Sequence, residues 1–350
     1  MIPDVFPWKH RHARGRKTIG DPVTIASFIT LSRNIRGLPF PGNASPEQKE
    51  AVLKLVRDAL GEAWTECRME DQGELDRVLL EEAKFIPHGF AENPQRRSLF
   101  YDGNGTVLLV NGSDHLAIRI FAAGPAPDEL SAQAEAMDTM LSEKLAPAFH
   151  PRFGFVTENP EDAGTGLHVS FLLHLPALVL NNAQPVMLEA LKAMDLAATG
   201  FFGDDQKFPG NLFLLSNTST MGETESEIIS RVSDCAARIA GRELEVREEF
   251  RKKSPLRLMD FCARSRAVLG CARLISANEA MNALSGLKLA EESGLLPEGL
   301  PFDWENLLLS ILPGHISALC GEDHGPEQRA ARRANLLRAR TAGTGGAARE

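Results

Sequence analysis

Residues 159–178 decide the fold, and they read Asn159-Pro160-Glu161-Asp162-Ala163-Gly164-Thr165-Gly166-Leu167-His168-Val169-Ser170-Phe171-Leu172-Leu173-His174-Leu175-Pro176-Ala177-Leu178. A polar turn that contains glycine is followed by an apolar run with β-branched and aromatic members. This order is typical of a loop that feeds a buried strand. Because Gly164 and Gly166 lack a Cβ, we expect the backbone beside Thr165 to approach a ligand or a neighbouring segment closely. Taken alone, a Gly-Thr-Gly turn favours a structural role.

The composition predicts a soluble globular protein of one large domain or two ordinary ones. The chain has 350 residues, of which 43% are hydrophobic and 24% are charged. The formal net charge of −9 argues against nucleic acid as the main partner. The most apolar run, residues 171–180, is interrupted by His174 and Pro176 and is too short to cross a bilayer, so we expect no membrane insertion.

The cysteines and the N-terminus indicate a cytoplasmic protein. Residues 1–18 lack the apolar core of a secretory signal. Scattered cysteines without a C-x-x-C pair predict reduced thiols and neither a disulfide framework nor a metal site. They are Cys67, Cys235, Cys262, Cys271 and Cys320. Residues 1–20 are basic, and we expect a solvated arm there more than an anion-binding one.

The stretch 159–178 resembles the segment Cys-Pro-Thr-Asn-x-Gly-Thr-Gly-x-Arg of the ATP:guanido phosphotransferases, or phosphagen kinases. The run from His174 to Leu178 is typical of the bacterial protein-arginine kinases within that family. Asn159 stands at the family's cysteine and His168 at its arginine. The resemblance covers about residues 20–340. It implies an α+β fold in which a large antiparallel sheet is flanked by helices, with a small all-helical C-terminal domain behind it.

The resemblance together with the composition of the two ends predicts four segments along the chain. They are an N-terminal arm (1–20), a phosphagen-kinase catalytic-like domain (21–254), a helical C-terminal domain (255–340) and a disordered tail (341–350). The apolar patterns predict strands near Thr24–Leu31, Val107–Val110, Leu116–Phe121, Leu167–Leu173 and Leu212–Leu215. Helical spacing and capping signals predict helices over residues 45–61, 127–146, 185–198, 223–253, 256–269, 276–293, 304–312 and from 326 onward.

In the family, arginines hold the phosphates of ATP, and the resemblance places other residue types at those positions here. Residues 21–34 stand where the family has Ser-Ser-Arg-x-Arg-x-x-Arg-Asn, which puts Phe28 and Thr30 at the two phosphate arginines. Alternate arginines on an extended segment would present both cations on one face, whereas Phe and Thr cannot neutralise phosphate charge. The other family ATP-site positions are Lys84, at a nucleotide-contacting histidine, and Ala117, His168 and Thr199, at phosphate arginines. Arg119 shares a strand face with Ala117 and is a candidate partial substitute.

The family's catalytic base is a carboxylate, and the resemblance places Ser113 at that position, within Asn111-Gly112-Ser113-Asp114-His115. A guanidinium has a pKa above about 12, so making it a nucleophile needs an anionic base that serine cannot supply. Asp204 and Asp205 lie near the family's second carboxylate and are the remaining catalytic candidates. We expect Asp114 and His115 to form a local hydrogen-bonded turn.

The C-terminal domain of the protein-arginine kinases carries an Arg-Asp pair that helps to hold phosphoarginine. The resemblance matches this pair to Arg329 and Ala330. Only the arginine is therefore present, and a second site at this place lacks its carboxylate.

Three functions remain open. The chain is a catalytically inactive pseudokinase that acts as a regulatory or scaffold subunit, a divergent but active ATP:guanido phosphotransferase that phosphorylates free or protein arginine, or a binder of another small molecule in a pocket lined by Phe28, Phe201 and Phe202. The first requires no cofactor, and the second requires Mg-ATP. For the first, the expected partner is a protein, either an active arginine-kinase paralogue or the protein quality-control machinery, and a homodimer is left open.

Overall fold

The computed structural model describes residues 5–9, 21–202, 207–296, 303–321 and 325–341. Within these ranges the strands are β1 (Thr24–Arg33), β2 (Thr65–Arg68), β3 (Ser98–Tyr101), β4 (Thr106–Val110), β5 (Leu116–Ala123), β6 (Phe149–His150), β7 (Gly154–Phe155), β8 (Leu167–His174), β9 (Leu196–Gly200) and β10 (Leu212–Asn217). The helices are α1 (Pro46–Leu60), α2 (Glu74–Glu82), α3 (Pro127–Lys144), α4 (Pro176–Leu180), α5 (Gln184–Lys192), α6 (Glu225–Lys253), α7 (Pro255–Cys271), α8 (Ala277–Glu292), α9 (Trp304–Ser310), α10 (Pro313–Cys320) and α11 (Pro326–Thr341). Every helix in the described part is too short or too polar to cross a bilayer.

A large sheet is the main feature of the fold. Its strand order is β2-β3-β4-β5-β1-β8-β10-β9, and β6 pairs with β7 separately. The pairings along β2-β3-β4-β5-β1 are antiparallel. The five strands predicted from the sequence fall within β1, β4, β5, β8 and β10. The expected α+β class with a large antiparallel sheet is therefore confirmed.

The two faces of β1 have different neighbours, because side chains alternate along a strand. Arg33 reaches Asp138 of α3, so the odd-numbered residues of β1 face that helix. α3 presents a stripe with helical spacing to the sheet, formed by Leu130, Ala134, Met137 and Leu141. The even-numbered residues face the opposite side, and the register with β5 pairs Phe28 with Phe121, Thr30 with Arg119 and Ser32 with Ala117. These three pairs form one row, which we call the even face.

The chain divides into two compact units. The first comprises Met1–Leu172, Ala190–Ala198 and Leu215–Ala237, and the second comprises Leu173–Glu189, Thr199–Leu214 and Arg238–Glu350. Strands β1 to β7 and helices α1 to α3 belong to the first unit, and helices α7 to α11 belong to the second. α7 begins at Pro255.

The second unit is held together by close helix packing and by buried polar groups. A Cβ added to Gly286 of α8 would lie 2.0 Å from Ser265 Oγ of α7, so only glycine permits this approach. Arg333 of α11 is buried and donates hydrogen bonds to backbone carbonyls at residues 275 and 311. His174 is fully buried, and its Nε2 lies 2.7 Å from Ser285 Oγ.

Local signals in the sequence were accurate where a cap or a turn fixes the backbone. Ser45 accepts a hydrogen bond from Gln48 N, and Gln48 returns one to the Ser45 backbone, which is the predicted capping box of α1. The hairpin of β3 and β4 forms because Asp102 Oδ1 accepts hydrogen bonds from the backbone N–H groups of Asn104 and Thr106.

Two predicted helices were too long at their C-terminal ends. The helix predicted over residues 185–198 ends at Lys192, and Asp195 then takes a left-handed φ of 52° before β9 begins. Val186, an apolar residue near the start of this helix, is 75% exposed, so it does not belong to a buried stripe. The helix predicted over residues 304–312 ends at Ser310, and Pro313 starts a separate helix, since proline is favoured at a helix N-terminus.

The N-terminal arm is more closely packed than its basic composition indicated. Phe6 and Trp8 are each 1% exposed, so the solvated arm predicted for residues 1–20 is wrong for these side chains. Residues 10–20 lie outside the described residues. So does the predicted tail, apart from Thr341, which ends α11 and is buried.

Candidate functional site

The glycine turn that opens β8 is held against its own chain. Gly164 and Gly166 have φ values of 102° and 63°, a region that favours glycine. A Cβ on Gly164 would lie 2.6 Å from Thr220 O, and one on Gly166 would lie 2.7 Å from Ser32 O. Thr165 Oγ1 donates a hydrogen bond to Thr220 O. The backbone beside Thr165 therefore approaches neighbouring segments of the chain. This was one of the two explanations that the sequence offered, the other being close approach to a ligand.

Arg33, which the sequence resemblance places at the last arginine of the family's phosphate-binding segment, is a buried structural residue. Its side chain is 2% exposed and makes a two-pronged contact with Asp138, at 2.9 Å from Nε and 2.8 Å from Nη2. Its Nη1 donates to Ser32 O and Thr165 O. The guanidinium also lies 3.5 Å from the centre of the Phe155 ring. Its donors therefore bind other parts of the fold.

Asn34, Asp114 and His115 form one buried hydrogen-bonded cluster. Asn34 Nδ2 donates to Asp114 Oδ1 at 2.6 Å, and Asn34 Oδ1 accepts from His115 N at 2.9 Å. His115 Nδ1 accepts from Ile35 N, which leaves the proton on Nε2, and Nε2 donates to Pro39 O. Burial raises the pKa of Asp114 and lowers that of His115. The local hydrogen-bonded role expected for Asp114 and His115 fits this geometry.

Phe28, which the sequence resemblance places at the first phosphate-arginine position, is a packing residue. It is 7% exposed. Its ring centre lies 5.6 Å from that of Trp8, with nearly parallel planes, and 5.2 Å from that of Phe121. The next position on the even face, Thr30, is half-buried and stands opposite Arg119.

Arg119 and Lys84 place two cations beside the even face. Arg119 Nη1 donates to the carbonyls of Lys84 and Phe85, both at 3.1 Å, and its guanidinium carbon lies 5.0 Å from the Phe121 ring centre. Burial lowers the pKa of Arg119 to about 10. Burial also lowers the pKa of Lys84 to about 8, and the charge of Arg119 acts in the same direction while that of Glu81 opposes it.

His168, which the sequence resemblance places at a further phosphate-arginine position, already has an anionic partner. Its Nε2 lies 2.7 Å from Asp162 Oδ1, and both side chains are about one-quarter exposed. This hydrogen bond lowers the pKa of Asp162. Any positive charge on His168 is therefore matched by a carboxylate of the chain itself.

A polar cleft of about 340 Å³ lies in the first unit, next to the even face. Its lining includes Ser32, Arg97, Ser113, Asp114, Ala117 and Asp162. Arg97 donates to the carbonyls of Gly89, Phe90 and Asn111, which occupies much of its hydrogen-bonding capacity. The two carboxylates and the largely occupied guanidinium make this cleft better suited to a neutral or cationic molecule than to a polyphosphate.

The first unit therefore brings together Phe28, Thr30, Ala117 and Arg119 on the even face, with Lys84 beside Arg119 and Ser113 at the cleft. Thr199 is half-buried in β9 and belongs to the second unit. Arg329 and Ala330 lie in α11 of that unit, where Ala330 O accepts a hydrogen bond from Ile275 N. Phe201 and Phe202, also in the second unit, contact each other at 4.6 Å. The catalytic candidates Asp204 and Asp205 lie outside the described residues.

Sequence reasoning missed Trp8 and Asp162. The apolar residues Phe6 and Trp8 stand out within a basic segment and were the available signal for a packed N-terminus. Nothing in the local pattern indicated that Asp162 would pair with His168.

Two family models match the chain. The C-terminal catalytic domain of ATP:guanido phosphotransferases matches residues 49–246, and the C-terminal domain of the protein-arginine kinase McsB matches residues 255–349. The chain belongs to the ATP:guanido phosphotransferase family.

Relatives of this ATP:guanido phosphotransferase homologue are named protein-arginine kinases. The one from Halothermothrix orenii is 31% identical over 323 residues, covering 91% of this chain and 93% of that protein. The one from Moorella thermoacetica is 32% identical over 331 residues, covering 92% and 94%.

Solved structures support the fold. Lombricine kinase matches with a TM-score of 0.57 and 17% identity, covering 65% of this chain and 67% of its own. The duplicated taurocyamine kinase of Schistosoma mansoni with bound transition-state analogue components matches with a TM-score of 0.59 and 20% identity, covering 69% of this chain and 37% of its own.

Proposed function

We propose that this chain is a catalytically inactive member of the protein-arginine kinase branch and acts as a regulatory or scaffold subunit. The observation that carries the proposal is the set of residues at the family's phosphate and base positions. These are Phe28, Thr30, Ala117, His168 and Thr199 for phosphate, and Ser113 for the base. Phosphoryl transfer depends on positioning and on cationic stabilisation of the phosphates, and each such contact contributes about 2–4 kcal/mol.

The surroundings of these positions support the proposal, because they fit Mg-ATP poorly. Phe28 is covered by Trp8, and the imidazole of His168 is paired with Asp162. Arg119 is a cation on the even face, and its Nη1 already donates hydrogen bonds to two backbone carbonyls. One partly occupied guanidinium and a lysine with a lowered pKa cannot replace several bidentate arginines on a triphosphate. We therefore assign no catalytic step to these residues.

A protein partner follows from this proposal, either an active arginine-kinase paralogue or a component of protein quality control. Two exposed apolar side chains support a contact surface in the second unit. Leu256 and Met259 of α7 are 79% and 51% exposed and lie one helical turn apart. Replacing both with glutamate should weaken capture of the paralogue in a pull-down of the two purified proteins, whereas self-association of the chain would point to a homodimer.

The decisive test is an assay for phosphoarginine. Purified protein with Mg-ATP and either free arginine or an arginine-rich unfolded protein should give no acid-labile phosphate above background by mass spectrometry. The matched control is an Asp204→Asn/Asp205→Asn double variant, which removes the two remaining carboxylate candidates. ATP-dependent phosphoarginine that disappears in this variant would overturn the proposal and establish a divergent active kinase.

Small-molecule binding is a second candidate, and the polar cleft of about 340 Å³ favours it. A thermal-shift screen against neutral and cationic metabolites tests it. A stabilising ligand whose effect is lost in Asp162→Asn would support this function, and the absence of any ligand would favour a scaffold.

A further inference from the structure

A second cleft, of about 520 Å³, lies entirely in the second unit and shares none of its described lining residues with the polar cleft of the first. Its volume is in the range of ligand-binding pockets, roughly 300–1,000 Å³. Among the described residues that line it, Lys207 carries the one charge. Four others carry amide side chains, and they are Gln184, Asn211, Asn278 and Asn282. We call it the amide cleft, and its lining favours a ligand without formal charge.

Two of these amides are held in a fixed orientation by hydrogen bonds to the fold. Asn282 Oδ1 accepts from Gly210 N at 2.8 Å, and Asn211 Nδ2 donates to Ser285 Oγ at 2.8 Å. The other polar atom of each side chain, Asn282 Nδ2 and Asn211 Oδ1, has no hydrogen-bond partner within the part of the chain that the structure describes. One donor and one acceptor therefore remain, and together they complement the C=O and N–H of a peptide backbone.

Two half-buried phenylalanine rings give the amide cleft an apolar wall. Phe208 stacks on buried Phe213, with ring centres 4.0 Å apart and planes 15° apart. Phe261 lies against α8 where Gly286 has no side chain, because a Cβ at that glycine would lie 3.2 Å from Phe261 Cε1. An apolar group placed against the two rings would lose its contact with water, which favours binding. The rings and the two amides are held before a ligand arrives, so little ordering is needed on binding.

We propose that the amide cleft binds a short, uncharged stretch of polypeptide in an extended conformation. The N–H of one residue donates to Asn211 Oδ1 and the C=O of the same residue accepts from Asn282 Nδ2, as in the paired residues of neighbouring strands. The apolar side chain of that residue packs against Phe208 and Phe261. This inference goes beyond the proposed function and does not depend on the loss of catalysis. It also differs from recognition of arginine or phosphate, which requires opposite charges in the site.

The test titrates the full-length chain with capped tripeptides and follows binding by ligand-observed nuclear magnetic resonance. The probes are Ac-Ala-X-Ala-NH2, in which X is leucine, methionine, phenylalanine or valine. At least one of them should bind saturably, and failure of all four would overturn the proposal. The comparison peptide has arginine as X and should bind more weakly. Tighter binding of the arginine peptide would assign the cleft to guanidinium recognition and would also overturn the proposal.

Asn282→Asp tests the donor with little change in shape. The aspartate keeps an oxygen that accepts from Gly210 N, but it replaces the remaining N–H donor with a second oxygen. Binding of the apolar tripeptide should therefore weaken at least about tenfold. The matched control is Asn335→Asp, which adds the same charge at an exposed position of α11 outside the cleft. Equal affinities in the two variants would refute the role of Asn282.

Peptide analogues test the backbone contact from the ligand side. Replacing the N–H of residue X with an ester oxygen removes the donor to Asn211 and should weaken binding at least about tenfold. The same replacement at the first alanine leaves both contacts of residue X in place and should have little effect. If the two ester analogues bind equally, the backbone of residue X is not recognised and the proposal fails.

Hydrogen exchange locates the bound peptide on the unchanged chain and does not depend on how the variants fold. Saturating apolar tripeptide should slow exchange of the Gly210 amide, because the ligand closes the cleft over its hydrogen bond to Asn282. Protection that appears only outside residues 207–211 and 278–282 would place the peptide elsewhere and overturn the proposal.

Discussion

Replacing Arg33 with methionine should strongly destabilise the first unit. Arg33 is 2% exposed and holds Asp138 of α3 through two hydrogen bonds, while its Nη1 binds the carbonyls of Ser32 and Thr165. Methionine keeps much of the side-chain volume but removes all of these donors. The carboxylate of Asp138 would then remain partly buried without its cation, at 18% exposure.

The expected cost follows from these contacts. Removing one partner of a buried ion pair costs about 3–5 kcal/mol, because the other charge is left uncompensated. Loss of the two hydrogen bonds to carbonyls adds about 1 kcal/mol each where water cannot replace them. Asp138 is still partly exposed to water, which reduces the cost of leaving its charge without a partner. We therefore expect the free energy of unfolding to fall by about 3–5 kcal/mol.

Urea denaturation followed by far-UV circular dichroism measures this change. Arg33→Met/Asp138→Leu removes both charges, so its loss should be smaller than the sum of the two single losses by at least about 1 kcal/mol. The control is Arg242→Met in α6, where Arg242 is 51% exposed and pairs with an exposed glutamate. That change should leave the urea midpoint close to that of the unchanged chain, because an exposed ion pair contributes little to stability. An Arg33→Met variant as stable as the control would refute the structural role of this arginine.

Two further predictions concern the second unit. Gly286→Ala should lower the free energy of unfolding by about 1–3 kcal/mol, because the new Cβ would meet Ser265 Oγ at 2.0 Å. The control is Gly241→Ala on α6, where a new Cβ would meet no neighbouring atom. It should raise the free energy of unfolding by up to about 1 kcal/mol in the same urea assay. Destabilisation by both changes would exclude the packing explanation. Burial, reinforced by the charges of Arg247 and Lys288, holds the pKa of His174 well below its ordinary value of 6.5. The unfolded chain therefore binds a proton that the folded chain does not, so stability is full above about pH 6.5 and declines below it, by at most about 1.4 kcal/mol per pH unit. The measurement is the free energy of unfolding in urea at several pH values between about 7.5 and 5.5. In His174→Gln this free energy should fall less with decreasing pH than in the unchanged chain. An equal fall in both proteins would assign the pH dependence to another group.

The sequence predicted the fold well where the signal is local or repeated. Alternating apolar residues predicted β5, and the capping box predicted the start of α1, because both patterns are set by neighbours in the chain. The helix predicted over residues 185–198 failed for the opposite reason. Leu and Ala continue a helical pattern past Lys192, but the residues from Leu196 onward extend the large sheet, and tertiary pairing outweighs helix propensity.

The candidate site was predicted only in part, because residue identity does not say what a side chain contacts. The sequence resemblance places Phe28 and His168 at family phosphate positions, and this placement remains a prediction. The pairing of His168 with Asp162 and the cover that Trp8 places on Phe28 depend on segments brought together by folding. Asp204 and Asp205 remain predictions, since they lie outside the described residues.

Residues that match the family motifs and residues that differ from them have different physical roles in this chain. Arg33, Asn34, Asp114 and Gly166 each connect β1 to another segment, so a change at any of them would leave buried polar groups unpaired or force the backbones apart. An arginine that binds phosphate from the even face would contribute to ligand binding more than to packing. Another residue at such a position need not weaken the fold. An exposed phenylalanine in its place would be an apolar surface without a partner. Trp8 supplies that partner, because its ring stacks on Phe28 and is itself 1% exposed. Phe28→Arg should therefore lower the free energy of unfolding in the urea assay, because a charge at this buried position would be unpaired and Trp8 would lose its stacking partner.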